Sequence, residues 1–368
     1  MSFDAAELAN AATRGLRAYD PGHDLPALRK RFGATLAELG SNENPLGPSP
    51  RAIAAIEAAL PEIFRYPDPK GDALKAALAA HLRVDATQIA LGNGSHELLM
   101  LIAQCFADAN ASVVFSEFGF AVFPIATAAA GARAIRVPAL SRDHATMLLG
   151  HDLDAIAAAI RADTRIVYLA NPNNPTGTWF DDAALEALLA RVPATTLVVV
   201  DEAYQEFVDE LTLTTALRFL PKHPNLIVTR TFSKAYALAG LRVGYAVGSP
   251  GIINIIERLR ESFNVNSLAL AAAEAALGDV EHVARAKAFN CTERDWLTAQ
   301  LKSRGLRVLP SQTNFVLVDF SRDAASIEQT LYERGVIVRP MGGYGLDEFL
   351  RISVGARTEN QRLLEALP

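Results

Sequence analysis

The feature that most constrains the fold is the uninterrupted apolar run at residues 197–200, Leu-Val-Val-Val. A strand that does not alternate with polar residues is usually covered on both faces, as happens when helices pack on either side of a parallel sheet. Further β-branched runs lie at residues 112–116, 134–137, 165–170, 226–229 and 243–247, between amphipathic helical segments at 51–60, 71–82, 96–106, 153–160 and 183–189. Helices that alternate with buried strands predict an α/β domain whose central sheet is mainly parallel.

The pattern changes after residue 248. A long helical tract at 252–303 leads to short strand-like runs at 306–309, 315–318, 336–339 and 350–354. This change of rhythm predicts a second, smaller α+β domain. We therefore expect residues 1–40 to form an N-terminal segment that packs with the small domain, residues 41–250 to form the large domain, and residues 251–368 to form the small C-terminal domain.

Composition and charge exclude several classes of protein. The net charge of −6 over 368 residues, without a Lys/Arg-rich tract, argues against a nucleic-acid partner. The two cysteines, Cys105 and Cys291, lie far apart and outside any CxxC pattern, so neither a disulfide framework nor a metal site is expected. The sequence shows neither a signal-peptide pattern nor an apolar run approaching about 18 residues, which predicts a cytoplasmic location and no membrane partner.

The first of four motifs is Gly-Asn-Gly-Ser at residues 92–95, at the start of a predicted helix. A glycine-rich turn lets backbone N–H groups approach an anion, and the helix start adds unpaired donors and the positive end of the helix dipole. The same pattern also occurs in ordinary capped helices, so taken alone it does not identify a phosphate site.

Two further motifs follow buried strands directly. Asn-Pro-Asn-Asn-Pro-Thr-Gly occupies residues 171–177, and Asp-Glu-Ala-Tyr occupies residues 201–204. Ligands of parallel sheets bind beyond the carboxyl ends of the strands, which is where both motifs lie. The alternatives are a Pro/Asn/Gly turn for the first and a helix-capping aspartate for the second. A turn does not require this heptapeptide, and a carboxylate buried at a strand end needs a cationic partner.

The fourth motif is Thr-Phe-Ser-Lys at residues 231–234, with Gly-Leu-Arg-Val-Gly at residues 240–244. It again begins just past a predicted strand. A single lysine is usually a solvated surface charge. Here, however, Lys234 lies among hydroxyl groups, and Arg242 follows it by eight residues, which is the composition of a phosphate-binding site.

Taken in this order, the four motifs resemble those of the fold-type I, aspartate aminotransferase-like enzymes, and most closely those of the histidinol-phosphate aminotransferases. The likeness extends from Tyr19 and Ser-Asn-Glu-Asn-Pro-Leu-Gly at 41–47, through Arg-Tyr-Pro-Asp at 65–68, to Leu-Arg-Ile-Ser-Val-Gly at 350–355. It implies a large domain that binds pyridoxal 5′-phosphate on a mainly parallel sheet flanked by helices. It also implies transamination between a small amino donor, histidinol phosphate, and a 2-oxo acid, 2-oxoglutarate, in histidine biosynthesis.

The resemblance also implies catalytic roles for individual residues. Lys234 would bind the cofactor covalently and, once substrate has displaced it, would move the proton between the substrate Cα and C4′ of the cofactor. Asp201 would pair with the pyridine nitrogen and keep it protonated, so that the ring can accept electrons. Asn174 and Tyr204 would hydrogen-bond the phenolic oxygen of the cofactor.

Other residues would hold the phosphate and the ring. The phosphate ligands implied by the resemblance are the backbone amides of Ser95 and His96, with the side chains of Thr231, Ser233 and Arg242. His96 stands where the family more often has an acidic residue, but only its backbone N–H is expected to bind. Phe120 aligns with the aromatic residue that stacks on the pyridine ring, although a core aromatic would also fit. Gly119 and Phe120 replace a more usual Thr-Tyr or Thr-Phe pair.

Substrate and subunit contacts are implied by four more residues. Arg351 matches the arginine that grips the substrate α-carboxylate, for which a bidentate guanidinium is well suited. Arg339 and Tyr19 match positions near a second phosphate, that of the substrate. Tyr66 matches the tyrosine that reaches the phosphate of a neighbouring subunit, which implies a homodimer with shared active sites. A surface charge for Arg351 and a core or interface position for Tyr66 are the alternatives.

The same scaffold also serves other functions. An aromatic amino acid aminotransferase is the main alternative within the fold, and a decarboxylase of the phosphothreonine type is a third. Such decarboxylases tend to lack the Asn-Glu-Asn-Pro present here at residues 42–45. Transcription regulators with pyridoxal-binding domains carry a helix-turn-helix domain, for which the roughly 40 residues before the first family motif are too few.

Overall fold

A computed structural model describes residues 5–16 and 23–368 of the chain. Its helices are α1 (Ala5–Leu8), α2 (Ala11–Arg14), α3 (Leu25–Phe32), α4 (Pro50–Ala59), α5 (Asp72–Leu82), α6 (Gly94–Phe106), α7 (Val122–Ala129), α8 (Leu153–Ala158), α9 (Asp182–Leu189), α10 (Pro250–Leu259), α11 (Ser267–Leu277), α12 (Val280–Ser303), α13 (Ala325–Glu333) and α14 (Arg357–Ala366). Its strands are β1 (Ala37–Glu38), β2 (Ile89–Gly92), β3 (Ser112–Ser116), β4 (Arg133–Val137), β5 (Thr164–Ala170), β6 (Leu197–Asp201), β7 (Leu226–Thr231), β8 (Gly244–Gly248), β9 (Arg307–Val308), β10 (Phe315–Asp319), β11 (Val336–Ile337), β12 (Arg339–Pro340) and β13 (Phe349–Ser353).

The large sheet has seven strands in the order β2-β8-β7-β6-β5-β3-β4. In it β8 runs antiparallel to both of its neighbours, β2 and β7, and the other pairings are parallel, so the sheet is mainly parallel. In β6, Val198 and Val200 pack into one apolar cluster and Val199 into another, and all three are at most 1% exposed. Both faces of the strand are therefore covered, and the predicted α/β fold with a mainly parallel sheet flanked by helices is confirmed.

Two elements differ from the expectation. The strand β2 was not predicted, because Ile-Ala-Leu-Gly is short and contains a single β-branched residue. The long helical tract predicted at residues 252–303 consists of three helices, α10, α11 and α12. The breaks are set by local chemistry: Phe263 adopts a left-handed φ of 61°, the Asn266 side chain caps the start of α11, and the Asp279 side chain caps the start of α12.

A second sheet lies in the C-terminal part of the chain, with four antiparallel strands in the order β12-β13-β10-β9. The helices α12, α13 and α14 cover it through residues such as Leu297, Leu331 and Leu363. The short strand β1 pairs in parallel with β11, so the chain at residues 37–38 joins this C-terminal unit.

The helices α10 and α11 pack on the large sheet rather than on the small one. Ile253 and Ile256 of α10 and Ala269 and Ala272 of α11 belong to the apolar clusters of that sheet. The packing partner changes between α11 and α12, and we propose that the small domain begins there, near residue 280, instead of at the expected residue 251. Within the described ranges 5–16 and 23–368, no helix is both long and apolar enough to cross a membrane.

Candidate active site

Three of the predicted motifs meet at one edge of the large sheet. The strand β5 ends directly before the Asn-Pro-Asn-Asn-Pro-Thr-Gly segment, β6 ends at Asp201, and β7 ends at Thr231. Since β6 pairs in parallel with both β5 and β7, the three carboxyl ends lie side by side. This edge is where ligands of parallel sheets bind, and it brings together residues that are far apart in the sequence.

Asp201 is a buried carboxylate at the centre of this edge, with 3% of its surface exposed. Its backbone pairs with Thr229 of β7, and the Thr229 hydroxyl donates to the carboxylate at 2.8 Å. Burial raises the pKa of Asp201 to about 7, although the hydroxyls of Thr229 and Ser95 favour its charged form. A cation bound beside Asp201 would stabilise the carboxylate, so the position suits a positively charged ring nitrogen.

Lys234 is the amine of the site and lies just after β7. Its Nζ donates to the backbone carbonyl of Ser41 at 3.0 Å and lies 5.9 Å from the centre of the Tyr204 ring. Burial, together with the nearby guanidinium of Arg351, lowers the pKa of Lys234 to about 7. An amine with this pKa is largely neutral slightly above pH 7, as a nucleophile or a general base must be.

Tyr204 and Asn174 add further polar groups, Tyr204 near the Lys234 amine and Asn174 beside Arg351. The Tyr204 hydroxyl accepts a hydrogen bond from Nδ2 of Asn42 at 3.0 Å, and burial raises its pKa to about 12, so it keeps its proton. Arg351 donates through Nη1 to Oδ1 of Asn174 at 2.7 Å and through Nη2 to the carbonyl of Gly40 at 2.7 Å. Because the carbonyl oxygen of Asn174 is used in this way, its amide nitrogen is the donor that this side chain offers a ligand.

The start of α6 and the loop after β7 together form an anion-binding arrangement. Arg242 donates through Nη1 to Oγ of Ser233 at 3.2 Å, and Thr231 donates through Oγ1 to the same Oγ at 2.9 Å. Arg242 also reaches the carbonyl of Asn93, which precedes the first turn of α6, at 3.4 Å. Hydroxyls, a guanidinium and the positive end of a thirteen-residue helix thus converge, which is the chemistry that holds a phosphate.

Two glycines allow the start of α6 to lie close to Arg242 and to β8. Gly94 has a φ of 79°, and a Cβ there would lie 2.8 Å from Nη2 of Arg242. A Cβ on Gly244 would lie 2.7 Å from the Arg230 carbonyl oxygen and 2.8 Å from the backbone nitrogen of Ser95. Gly94 is therefore required by its backbone conformation and by the approach of Arg242, and Gly244 by its close contact with the backbone of Arg230 and Ser95.

The other residues predicted for the site lie in different surroundings. Arg339 lies directly opposite Arg351 across β12 and β13. Phe120 is half-buried and packs edge-on against Phe123, at 6.0 Å between ring centres. Tyr66 is 84% exposed and stacks on Phe263, so it is not a core residue. Tyr19 lies outside the described residues.

Two residues that were not assigned a role also belong to this region. Asn42 contacts Tyr204, and its signal in the sequence was the Asn-Glu-Asn-Pro segment. Tyr344 follows Arg339 in a Gly-Gly-Tyr-Gly turn, and burial raises its pKa to about 12. The charge of Arg351 opposes that shift, as does a hydrogen bond from the backbone of Ala121, beside Phe120. No periodicity or spacing marked Tyr344, because its neighbours come from distant segments.

Comparison with known proteins agrees with this geometry. The family described as aminotransferase class I and II matches residues 34–367. Histidinol-phosphate aminotransferase 2 of Pseudomonas aeruginosa is 48% identical over 99% of this chain and 98% of that protein. Histidinol-phosphate aminotransferase 1 of Nitrosococcus oceani is 46% identical over 98% of this chain and 96% of that protein.

The chain belongs to the class I and II aminotransferases.

A solved structure extends the similarity to three dimensions. Histidinol-phosphate aminotransferase from Sinorhizobium meliloti, in complex with pyridoxal 5′-phosphate, has a TM-score of 0.88 and 34% identity, over 100% of this chain and 97% of that one. The aminotransferase described here thus has at one sheet edge a buried carboxylate, an amine with a lowered pKa and an anion-binding helix start. These are the groups that the sequence motifs had suggested, now in one site.

Proposed function

We propose that this aminotransferase uses pyridoxal 5′-phosphate to transfer the amino group of histidinol phosphate to 2-oxoglutarate, a step of histidine biosynthesis in the cytoplasm. The names of the relatives support the substrate, since the similarity covers nearly the whole chain at 46–48% identity. The structural observation that carries the proposal is the pair of arginines on facing strands, Arg339 and Arg351, of which Arg351 lies near Lys234.

The residues of the site fit the three parts of this cofactor. The anion-binding start of α6, with Ser95, His96, Thr231, Ser233 and Arg242, would hold its phosphate. Asp201 would face its ring nitrogen, where a cation would compensate the buried carboxylate, and Phe120 would lie against the ring. The half-buried amine of Lys234 would bind its carbonyl carbon. When bound, the cofactor supplies an electron-accepting ring that stabilises the substrate after the loss of a proton from Cα.

The chain's own residues would move and hold protons around that ring. The Lys234 amine, neutral in part near pH 7, would take the Cα proton and return it at C4′ of the cofactor. Asp201 would keep the proton on the ring nitrogen through its negative charge. Tyr204 and Asn174 would donate to the phenolic oxygen, Tyr204 through its hydroxyl and Asn174 through its amide.

Each of the two arginines would bind the substrate of a different half-reaction. Residues directly opposite on antiparallel strands have neighbouring side chains, so Arg339 and Arg351 give this part of the site two guanidinium groups that can bind anions. Glutamate carries an α-carboxylate, whereas histidinol phosphate carries a phosphate and no carboxylate. We assign the α-carboxylate of glutamate to Arg351, whose bonds to Asn174 and Gly40 hold it rigidly, and the substrate phosphate to Arg339.

Replacement of Arg339 tests the substrate. Arg339→Ala should lower kcat/KM for histidinol phosphate by about 30- to 1000-fold, because a buried charge-assisted contact to a phosphate contributes on the order of 2–4 kcal/mol. Phenylalanine, which has no phosphate, should be affected less. Half-reactions followed by rapid-mixing absorption spectroscopy measure both donors, and Arg165→Ala, an exposed strand arginine, is the matched control.

Two outcomes would contradict the assignment. One is a wild-type protein that prefers phenylalanine or tyrosine to histidinol phosphate, which would favour the aromatic aminotransferase. The other is an equal loss for both donors in Arg339→Ala. An equal loss would show that Arg339 supports the fold of the small sheet instead of recognising the substrate.

We further propose a homodimer whose two active sites are shared. An exposed apolar patch is formed by Leu60, Ile63, Phe64, Tyr66 and Phe263, which are 45%, 61%, 72%, 84% and 37% exposed. Neighbouring large apolar residues with this exposure mark an interaction surface. In this proposal the patch packs against a second copy, and Tyr66 of each subunit reaches the cofactor phosphate of the other.

Disruption of this patch tests the dimer. Phe64→Asp should convert the protein to a monomer, because the charge would have to be buried in an apolar interface. Activity should fall in parallel, by about ten-fold or more, since each site would lose its Tyr66 hydrogen bond. Sedimentation velocity and turnover at the same dilution are the measurements. Leu211→Asp, at an isolated residue that is 92% exposed, should change neither. A monomer that is fully active at nanomolar concentration would rule out shared sites.

A further inference from the structure

Asn42 is a buried residue with an unusual backbone conformation. It is 1% exposed and has a φ of 57°, in the left-handed region that non-glycine residues seldom adopt. Backbone conformations of this kind persist where surrounding contacts enforce them, and they concentrate at functional sites. The segment that contains Asn42 was singled out by its motif but has no part in the roles assigned above.

Three hydrogen bonds fix both its backbone and the orientation of its amide. The backbone N–H donates to Oγ of Ser353 at 2.8 Å, and the backbone carbonyl accepts from Nδ2 of Asn314 at 3.0 Å. The Ser353 hydroxyl has one hydrogen, and it donates that hydrogen to Oδ1 of Asn42 at 3.1 Å. Because Oδ1 is the acceptor of this bond, the other end of the amide must be the donor, Nδ2.

That donor is directed at Tyr204. Nδ2 of Asn42 lies 3.0 Å from the Tyr204 hydroxyl oxygen, which is therefore the acceptor. The charged and titratable groups around this hydroxyl are Arg351, Asp201, Lys234 and Tyr344. A hydroxyl that accepts from Asn42 must direct its single hydrogen elsewhere, and accepting a bond strengthens it as a donor.

We propose that Asn42 is a positioning residue, which acts through Tyr204 by aiming the Tyr204 hydroxyl hydrogen at the phenolic oxygen of the bound cofactor. This inference rests on the proposed function, because it requires the cofactor beside Tyr204. Asn42 touches neither the cofactor nor the substrate in this scheme. It prevents Tyr204 from becoming an acceptor at the position where the reaction needs a donor.

The consequence can be measured in the visible spectrum of the cofactor-loaded enzyme, without turnover. The negative charge on the phenolic oxygen is least compensated when the Lys234–cofactor nitrogen has lost its proton. A strong donor at that oxygen therefore favours the deprotonated form, and a weaker donor should move the midpoint of the spectral pH titration upward. Asn42→Gly removes the donor and retains the backbone, since glycine adopts a positive φ freely. The midpoint should rise by about one pH unit.

A double-mutant cycle separates action through Tyr204 from general damage. In the Tyr204→Phe background, Asn42→Gly should cause no further change of the midpoint. Asn42→Asp keeps the size and an acceptor for Ser353 but replaces the donor, and its midpoint should also rise. Asn290→Ala is the control, because Asn290 is another buried asparagine that donates to a carbonyl, at 3.1 Å from Thr313 O, away from Tyr204. Its midpoint should match the wild type.

The outcomes are distinct. An unchanged midpoint in both Asn42→Gly and Asn42→Asp overturns the inference. A shift that is equally large in the Tyr204→Phe background also overturns it, because Asn42 would then act by another route. A wild-type protein without any lysine-bound cofactor spectrum would instead refute the proposed function.

Discussion

Replacement of Lys234 by alanine is expected to lower the transamination rate by about 10⁴-fold or more. The variant loses the amine that binds the cofactor and the base that moves the Cα proton, and a positioned base alone contributes about 10²–10⁴-fold. The anion-binding start of α6 and Arg242 are unaffected, so the variant should still bind the cofactor, though more weakly. Steady-state turnover and single-turnover spectra with histidinol phosphate measure the loss.

The lysine can also be identified chemically. Wild-type protein should be yellow, and borohydride should remove the visible absorption and leave the cofactor on the peptide that contains Lys234. An added small amine should restore part of the proton transfer in Lys234→Ala. Lys222→Ala, at a lysine whose side chain is 75% exposed, is the control and should behave as the wild type. Turnover of Lys234→Ala at the parent rate would refute the assignment.

Asp201→Asn is expected to slow the half-reactions by about 10³-fold while leaving the fold intact. Asparagine has nearly the same shape and can accept the hydrogen bond that Thr229 donates at 2.8 Å. It lacks the negative charge that would keep the ring nitrogen protonated, and loss of one such electrostatic contact in a buried site typically costs about 10²–10³-fold or more. Rapid-mixing spectra of each half-reaction, with cofactor content measured separately, distinguish slow chemistry from lost cofactor. Near-normal rates would show that Asp201 is only a structural residue.

Asp201→Asn should also change how the stability of the cofactor-free protein depends on pH, because Asp201 is buried. Folding raises the pKa of this carboxyl from 3.8 to about 7, so its contribution to stability is complete below pH 3.8 and is lost as the pH rises through about 7. Cofactor-free Asp201→Asn has no such loss. It should therefore be more stable than the wild type at pH 8, by on the order of a few kcal/mol, and the difference should shrink toward pH 4. Thermal unfolding between these pH values measures it, and an equal difference at every pH would contradict the burial argument.

Much of the fold could be predicted because its signals are local. The run at β6 predicted burial on both faces, and the alternation of helices with strands predicted the mainly parallel sheet, both of which the structure confirms. The strand β2 was missed, since four residues carry too little pattern. The breaks on either side of α11 were missed because they depend on single caps within an otherwise helical composition.

The candidate site could likewise be predicted only in part. Asp201 and Lys234 could be named in advance, because Asp201 ends one strand and Lys234 lies just past the next, and the carboxyl ends of neighbouring parallel strands meet. The raised pKa of Asp201 and the lowered pKa of Lys234 could not be predicted, since both depend on how much water the folded chain excludes. Tyr66 could be named from its motif, but its exposure, and hence the apolar patch, became visible only in the structure.

The sequence by itself determined the family, the order of the motifs along the chain and the residues at the end of each strand. It did so because each motif is one contiguous segment. Only the tertiary structure decided which groups complete the site. Asn42 meets Tyr204 across 162 residues, and Arg351 of the small sheet meets Asn174 at the edge of the large sheet across 177 residues. Hydrogen bonds of this kind depend on distances of a few tenths of an ångström and on which end of an amide faces its neighbour. Neither is encoded in any local pattern, because both arise when separately folded segments pack together.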